Sequence, residues 1–511
     1  MNESTQQSLK NRKRRIEQRL DHERVWAPQD DPMFTGTNVH YEMSERTRGI
    51  DVGGLPAMHL LAKNTGLAKE IDARVHLLKV HLPYHESDHV LNIALNVCSG
   101  GTCLEDLELR RNNESYLDAL GAQRIPDPTT AGDFCRRFTA PDVEALMVAI
   151  NETRLRVWQQ QPDEFFAEAI VEADGTHAIT NGECKQGMDI TYGGEWGYHP
   201  LVVSLANTGE PLFLVNRGGN RPSQEGAAER FDQSLVLLRR AGFRKILFRG
   251  DTDFSQAAHL DRWAEEGVQF VFGYDAKKNL IELADSLPAT AFQPMRRPAK
   301  YEVKTEPRER PDNVKESIVQ ARGYLNQHLL CEEVAEFDYR PTACKKTYRM
   351  IVLKKNLSIE RGESVLFADI RYFFYITNRQ DLTPEQVVQA ANKRCNQENL
   401  IAQLKSGVRA MRMPVDTLVS NWAYMVMAAL AWNMKAWFAL LLPVEGRWHE
   451  RYEQERDDLL HMEFRTFLNA IIRIPAQVVR TGRKIVLRLM SWTRWLPAFF
   501  RGIDALRVRL C

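Results

Sequence analysis

The sequence predicts a mixed α/β fold in which a sheet-containing centre lies between helical regions at the two ends. Residues 1–165 have mainly helical spacing of apolar side chains, and helical spacing returns over 411–511. Between them, short apolar runs alternate with amphipathic segments, which is typical of strands joined by helices. Because 511 residues exceed one ordinary core, we expect roughly three to four structural units.

Changes in pattern along the chain place the boundaries of these units. Residues 279–369 interrupt the strand and helix alternation and are rich in Pro, Arg, Lys and Glu. The predicted division is a helical N-terminal region (1–165), a first part of the sheet core (166–278), a β-containing insertion (279–369), a second part of the core (370–410) and a helical, basic C-terminal region (411–511).

The N-terminal region contains one well-marked helix and three regularly spaced histidines. YHESDHVLNIALNVCSGG predicts a helix that ends at Gly100 and Gly101. His81, His85 and His89 are four residues apart and would share one helical face. Pro83 lies among them and no cysteine accompanies them, so we favour a structural or phosphate-facing role over a metal site.

The centre of the chain alternates between strand and helix signals. The run YHPLVVSLANTGEPLFLVNRG predicts a hairpin about its N-T-G turn. The other predicted elements, in order, are the strand AEAIVEAD (167–174), the helix SQEGAAERFDQSLVLLRRAG closed by Gly242, the strand KILFRGD (245–251), the helix FSQAAHLDRWAEEG and the strand VQFVFGYD.

Three further elements are predicted after the insertion. RYFFYITN (371–378) has the composition of a strand, and TPEQVVQAANKRCNQENLIAQLKSG predicts one long helix from its N-cap Thr383 to Gly407. WAYMVMAALAW (422–432) is strongly apolar but shorter than a membrane span of roughly 20 residues. We therefore expect a buried helix there and no membrane association.

Charge is balanced over the whole chain but concentrated at its ends. The net charge is +1, yet residues 1–24 contain seven bases against four acids, and residues 471–511 contain nine against one. Basic ends predict contact with a polyanion, and the alternative is a solvated basic helix or tail. The eight cysteines form no CxxC pair and the basic N-terminus lacks an apolar run, so we expect a reduced, cytoplasmic protein.

Three acids form the candidate catalytic group. Asp174 and Asp251 each follow an apolar strand, and Glu398 lies on the helix after the insertion. Ligand sites gather beyond the carboxyl ends of strands, so the three carboxylates are expected to converge. Carboxylate oxygens suit Mg²⁺, and a pair of such ions roughly 3.5–4 Å apart activates an attacking oxygen and stabilises a leaving one. Glu172 and Asp253 are weaker rivals for the two strand-end positions.

Two bases flank Glu398 at helical intervals. Arg394 is four residues before it and Lys405 seven after it, which predicts one stripe along the helix. Beside a metal, both would hold DNA phosphates against the carboxylate. The ordinary alternative for each of these residues is a solvated helix face.

These motifs together resemble a known family of enzymes. Arg394, Glu398 and Lys405 match the spacing Y-x2-R-x3-E-x6-K of bacterial DDE insertion-sequence transposases, with Ala391 in place of the Tyr. EADGTH and FRGDTDF resemble the motifs of the two Asp residues. The long interval from 251 to 398 resembles members with a β-strand insertion. YHESDHVLNIALNVCSGGTCLEDLELRR and PTTAGDFCRRF resemble the N-terminal region of insertion-sequence family 1380.

The resemblance implies a fold, an activity and partners. It implies an RNase H-like mixed-sheet core in which Asp174, Asp251 and Glu398 bind two Mg²⁺, with Mn²⁺ as a substitute. The activity would be cut-and-paste transposition: cleavage of DNA at the element's ends, then attack of the freed 3′-hydroxyl on target DNA. The alternatives are another RNase H-like metal-dependent nuclease or resolvase, and a catalytically inactive, domesticated DNA-binding protein.

The same resemblance implies how the protein meets DNA. The N-terminal region would bind the terminal inverted repeats, with Arg136 and Arg137 as phosphate contacts beside the basic tail. A homodimer is expected because two ends must be paired. The implied location is the bacterial cytoplasm, in association with the nucleoid.

Overall fold

A computed structural model describes residues 3–19, 36, 38–44, 47–81, 83–297, 313–361, 364–481 and 484–507. The helices of these residues are α1 (Glu3–Arg19), α2 (Leu55–Asn64), α3 (Leu67–Arg74), α4 (Glu86–Cys98), α5 (Leu107–Arg111), α6 (Glu114–Leu120), α7 (Pro128–Arg136), α8 (Ala140–Trp158), α9 (Ala227–Ala241), α10 (Leu260–Glu265), α11 (Lys278–Ser286), α12 (Val314–Ala321), α13 (Pro384–Asn392), α14 (Cys395–Ala402), α15 (Leu418–Leu440), α16 (His449–His461), α17 (Phe464–Phe467) and α18 (Leu496–Leu506).

The strands form one large sheet and two small ones. They are β1 (Arg48–Ile50), β2 (Glu168–Gly175), β3 (Ala178–Ile179), β4 (Asp189–Ile190), β5 (Trp196–Tyr198), β6 (Leu201–Leu205), β7 (Glu210–Val215), β8 (Lys245–Gly250), β9 (Gln269–Tyr274), β10 (Gln293–Pro294), β11 (Leu325–Tyr339), β12 (Tyr348–Arg361), β13 (Ser364–Thr377), β14 (Ala476–Thr481) and β15 (Lys484–Leu489).

The centre of the large sheet has the order β7-β6-β2-β8-β9. β2 is antiparallel to β6 and β6 is antiparallel to β7, whereas β8 is parallel to both of its neighbours, β2 and β9. This is the RNase H-like mixed sheet that the resemblance implied, so the predicted fold class is confirmed. The parallel arrangement brings the carboxyl ends of β2 and β8 to the same edge of the sheet.

Local sequence signals account for the connections within this sheet. The predicted hairpin is formed by β6 and β7, and Gly209 at its turn has a positive φ of 65°, which glycine adopts without steric cost. The helix α9 ends where predicted, at Gly242 with φ 99°, as is usual for a helix C-terminus.

The insertion extends the same sheet. Its long strands follow one another antiparallel as β11-β12-β13, and β13 pairs antiparallel with β9. The short β10 pairs with β11 at the outer edge and is the ninth strand of the sheet. The strand predicted at 371–378 is the second half of β13, so the boundary expected at 370 falls inside a continuous strand. Val387 and Val388 of α13 pack on β8, β9 and the insertion strands in one buried cluster. The division into domains stays a prediction.

The helix predicted over 383–407 is broken in two. Thr383 caps α13 as predicted, but the helix stops at Asn392, a turn follows at 393–394, and α14 continues as a π-helix over Gln403–Gly407. The break has a specific partner. In a continuous helix the Ala390 carbonyl would accept from the Arg394 N–H; here it accepts from the Arg249 guanidinium at 2.8 Å, and the Arg394 N–H donates to the Ala391 carbonyl instead.

The C-terminal region contains a β-hairpin besides its helices. β14 and β15 pair with each other, and β14 also pairs with β1 near the other end of the chain. Sequence reasoning expected only helices over 411–511, since the bases of this segment interrupt the apolar alternation that would predict strands. In β15, Leu487 and Leu489 lie on one face and pack against the core, which is the period of two expected for a strand.

The apolar run at 422–432 lies within α15, whose residues from Ser420 to Leu440 are all buried. This confirms the predicted buried helix, which packs against α4, α8 and β7. No helix among the described residues is long and apolar enough to cross a membrane.

Candidate active site

Asp174 and Asp251 leave the sheet side by side. Glu172 on β2 lies opposite Arg249 on β8 in the parallel register. Asp174 comes two residues after Glu172, and Asp251 comes two residues after Arg249. Asp174 is therefore the next-to-last residue of β2, and Asp251 is the N-cap of the short 3-10 helix Thr252–Ser255 that follows β8. The strand pairing alone explains why the two carboxylates lie close together.

Glu398 reaches the same place from the first turn of α14, which begins at Cys395 directly after its N-cap residue Arg394. The Arg394 guanidinium lies between the three acids: Nη1 is 3.1 Å from Asp174 Oδ2 and 3.5 Å from Asp251 Oδ2, and Nη2 is 4.0 Å from Glu398 Oε1. The structure thus brings all three predicted acids to one cleft, around the arginine that follows α13.

Burial differs among the three acids and sets their electrostatics. The side chains of Asp174, Asp251 and Glu398 are 17%, 35% and 64% exposed. Burial raises the pKa of Asp174 to about 6; Arg394 opposes this increase, whereas Asp251 and Glu398 add to it. Burial also raises the pKa of Asp251, again against the effect of Arg394. Raised carboxyl pKa values of this kind are frequent at functional sites, and a bound cation would favour the ionised forms of both side chains.

The chemistry of these side chains fits a divalent metal. Three carboxylates that already surround one cation offer the oxygen ligands that Mg²⁺ and Mn²⁺ prefer. Within the described parts of the chain, however, no three His, Cys, Asp or Glu side chains are close enough together to hold an ion. The guanidinium of Arg394 stands between the carboxylates, so a metal and this side chain would compete for the same oxygens.

The two rival acids have other roles. Glu172 is buried and its Oε1 accepts from Arg249 Nε at 2.6 Å, so its carboxylate is already satisfied. Asp253 donates its backbone N–H to Asp251 Oδ1 at 3.1 Å, and Asp251 is the one of the two in contact with Arg394.

Sequence reasoning missed the groups that support these acids. Arg249 joins Glu172 of the neighbouring strand to the Ala390 carbonyl at the end of α13, so one guanidinium links β2, β8 and the start of the Glu398 segment. The sequence contains a signal for this ion pair: the acid Glu172 lies two residues before Asp174, and the base Arg249 lies two residues before Asp251.

A second anchor holds α14 itself. Gln397, buried beside the exposed Glu398, donates from Nε2 to the Val202 carbonyl at 3.1 Å and accepts from the Ser204 hydroxyl. Both partners lie on β6, next to the strand that carries Asp174. The orientation of Glu398 is therefore set by its predecessor in the chain.

Two histidines lie beside Asp174. The rings of His177 and His199 are 4.7 Å apart, and His199 Nδ1 is 2.7 Å from the Arg221 carbonyl. A Cβ on Gly175 would lie 2.7 Å from His199 Nε2, so a glycine is required for this close approach. Burial lowers the pKa of His199, and Lys405 contributes to that decrease, which places the lysine on this side of the cleft.

Lys405 lies on the π-helix rather than on a regular continuation of α14. Burial lowers its pKa, and it has no ion-pair partner among the described residues. Arg394 and Lys405 therefore flank Glu398 without forming the straight stripe that one unbroken helix would give. Whether either base contacts DNA stays a prediction.

Arg136 and Arg137 lie at the C-terminal end of α7. Arg136 pairs with Asp133 at 2.8 Å and with Asp416 at 2.9 Å, so its charge is already compensated within the protein. Arg137 lines a cavity of about 390 Å³ that also contains His89. Their predicted contact with DNA is likewise still a prediction.

The three N-terminal histidines do not share a helical face. His81 and His85 precede α4, with rings stacked at 4.7 Å, and His81 Nε2 is 3.0 Å from Glu86 Oε2. His89 is buried and stacks on Phe134 at 4.3 Å. The prediction was a structural or phosphate-facing role, and these contacts agree with the structural alternative.

Comparisons with known proteins were made for the whole chain. The family described as Transposase DDE domain group 1 matches residues 48–508. Among solved structures, the cryo-EM structure of the piggyBac transposase synaptic complex with hairpin DNA is similar to this chain, with 9% identity and a TM-score of 0.37 over 82% of this chain and 81% of that one. No curated protein matches the chain.

Proposed function

Because the chain belongs to the DDE transposase family, group 1, we propose that Asp174, Asp251 and Glu398 are the acids with which it cuts and rejoins DNA. Members of this family are DNA transposases, so the chain is an enzyme that acts on DNA phosphodiester bonds, and the family generally uses a divalent metal. The observation that supports the assignment is the approach of all three carboxylates to the Arg394 guanidinium.

The proposed metal is Mg²⁺, bound as two ions, with Mn²⁺ as an alternative. When bound, such ions activate the attacking oxygen and stabilise the leaving one. Asp174 and Asp251 would hold the metal from the ends of β2 and β8, and Glu398 would complete the site from α14. The exposed position of Glu398 leaves the cleft open toward a DNA strand.

The other side chains of the cleft position the substrate and the acids. Arg394 would exchange its carboxylate partners for a DNA phosphate when the metal is present, since a guanidinium binds phosphate as well as carboxylate. Lys405 would contact a second phosphate. Arg249, through Glu172 and the Ala390 carbonyl, would keep the strands and the Glu398 segment in register.

The proposed reaction is cut-and-paste transposition, and two phosphoryl transfers act on the DNA strand that is joined to the target. Water first cleaves DNA at an element end and leaves a 3′-hydroxyl. That hydroxyl then attacks a target phosphodiester: a bond forms between its oxygen and the target phosphorus, the original P–O3′ bond breaks, and the proton passes to the departing target 3′-oxygen. One phosphodiester bond is exchanged for another, so no ATP is needed. The protein contributes positioning and charge stabilisation.

The DNA partners would be the terminal inverted repeats and the target. We assign the repeats to the N-terminal helical region, with Arg136 and Arg137 as phosphate contacts, and we propose a homodimer that pairs the two ends. The protein would act in the bacterial cytoplasm, on the nucleoid that contains its substrate.

Strand cleavage tests this proposal. The purified protein is incubated with Mg²⁺ or Mn²⁺ and a plasmid carrying the DNA that flanks its own gene. We expect cuts at the element's ends that disappear with chelator and in Glu398→Gln, which keeps the size of the side chain and removes its charge. Cuts at random positions would favour a general nuclease, and no cuts together with specific end binding would favour an inactive DNA-binding protein.

The second ligand position is tested with a matched control at a neighbouring acid. Asp251→Asn should abolish cleavage, whereas Asp253→Asn, an equal change two residues away, should retain it. The reverse result would transfer the second ligand position to Asp253. Equal cleavage by wild type and Glu398→Gln would show that the active site lies elsewhere.

A further inference from the structure

The two basic ends of the chain meet in the folded protein. Arg12 on α1 donates through Nη1 to the Leu489 carbonyl and, at 3.3 Å, to the Ser491 carbonyl at the end of β15. Residues that are separated by almost the whole sequence thus share one surface. None of the candidate active-site residues takes part in this contact.

A cavity of about 480 Å³ lies at this junction and is lined by bases and apolar groups. Its lining includes Arg12, Arg15 and Arg19 of α1, and Met490, Ser491 and Trp492 of the C-terminal region, and none of the described residues that line it is acidic. The spacing 12, 15, 19 places the three arginines on one face of the helix. We call this site the basic groove.

The charges of the basic groove are not compensated within the described protein. Arg15 and Arg19 have no ion-pair partner among the described residues, whereas Lys13, elsewhere on the same helix, pairs with Glu17 at 3.4 Å. Like charges that line one cavity repel one another, so the arrangement is stabilised when an anion enters.

Packing does not explain why α1 lies here. None of its residues is buried, and Leu9 packs only partly against the core. The Arg12 hydrogen bonds to two carbonyls provide a polar attachment that orients Arg15 and Arg19 toward Trp492. A ligand that contacts both α1 and the C-terminal region would stabilise the helix in this position.

We propose that the basic groove binds the phosphodiester backbone of duplex DNA, outside the cleft of the three acids. This rests on the proposed function, in which the chain acts on DNA. Guanidinium groups pair with phosphate oxygens in a bidentate manner, and the indole of Trp492 offers an apolar contact to the sugars between phosphates. Because phosphates carry no sequence information, the groove adds affinity and position rather than specificity.

The test is the salt dependence of DNA binding in chelator, where no cleavage occurs. The groove variant is Arg15→Gln with Arg19→Gln, and the matched control is Lys13→Gln with Arg14→Gln, which removes two charges from the same helix. Binding of a duplex from the DNA flanking the protein's gene is measured from 50 to 200 mM KCl. Each lost phosphate contact reduces the slope of log K against log salt by about 0.9.

We expect the groove variant to lower the slope by about 1.8 and to weaken binding on the order of tenfold or more at 0.1 M salt, with a clearly smaller change in the control. Equal losses in both variants, or no loss in the groove variant, would overturn the groove while leaving the proposed function intact. Failure of the wild-type protein to bind this duplex would overturn both. Circular dichroism of both variants should match wild type, since the four side chains are largely exposed.

Discussion

Arg394→Gln should make the protein bind metal more tightly and cleave DNA more slowly. The guanidinium lies 3.1 Å from Asp174, 3.5 Å from Asp251 and 4.0 Å from Glu398, so it competes with a divalent ion for these oxygens. Glutamine keeps some hydrogen-bonding capacity but removes the competing charge.

The size of the effect follows from Coulomb's law. A unit charge and a divalent charge about 4 Å apart repel by roughly 2 kcal/mol even at the dielectric constant of water, which corresponds to about a 30-fold difference in affinity. Loss of Arg394 also raises the pKa of Asp174 and Asp251 further, because its charge favours their ionised forms. Measurement at pH 8.5 keeps both carboxylates ionised and isolates the repulsion.

The assay is titration of the DNA-free protein with Mn²⁺, followed by the electron paramagnetic resonance signal of the free ion. Cleavage should fall about 10- to 100-fold at the same time, the usual cost of losing a charged hydrogen bond of about 1.5–3 kcal/mol. Arg262→Gln, which removes an arginine paired with Asp232 at 2.8 Å, is the control and should change neither quantity. If Arg394→Gln binds Mn²⁺ no more tightly than wild type, the competition inferred here is refuted.

Three other changes test the surroundings of the site and the core. Glu172→Gln should lower the free energy of unfolding, measured by urea denaturation, by about 3–5 kcal/mol, because it leaves the buried Arg249 charge without its partner. The double variant Glu172→Leu with Arg249→Met should recover this stability but should not recover DNA cleavage. A loss below about 1 kcal/mol in Glu172→Gln would contradict the prediction. The pKa of Asp174 is about 6, and carboxylate ligands bind metal only when they are deprotonated. The affinity for Mn²⁺ should therefore be constant above pH 7 and fall about tenfold per pH unit below pH 6. If the affinity begins to fall only near pH 4, Asp174 titrates as an ordinary carboxyl group. Burial lowers the pKa of Lys435 to about 7, below that of an unfolded lysine. The unfolded state therefore binds more protons between pH 7 and 10, and stability should rise with pH by up to about 1.4 kcal/mol per unit relative to Lys435→Met; parallel pH curves for the two proteins would exclude this.

The features that sequence reasoning predicted correctly depend on local patterns. The hairpin about residues 207–209 and the helix stop at Gly242 follow from turn and capping chemistry within a few residues. The strands before Asp174 and Asp251 are short apolar runs ending in an acid, and the rule for parallel strands was enough to place both acids at one edge of the sheet.

The features that it missed depend on partners far away in the sequence. The break after α13 arises because Arg249, 141 positions earlier, takes the Ala390 carbonyl, and no helix propensity encodes such a contact. The hairpin of β14 and β15 is completed by β1, which lies near the other end of the chain. Helical spacing placed Arg394 beside Glu398 but could not show that it also reaches two strand-end carboxylates.

The long strand β13 has a mechanical consequence for the enzyme. Its 14 residues extend over roughly 45 Å, from the far part of the insertion to its pairing with β9, and β9 is hydrogen-bonded to β8, the strand that ends at Asp251. Apart from a register shift opposite Ile359 and Glu360 near its outer end, β13 pairs continuously with β12. A displacement of the outer part of the insertion would therefore be transmitted to the strand that ends at Asp251 through a continuous series of backbone hydrogen bonds.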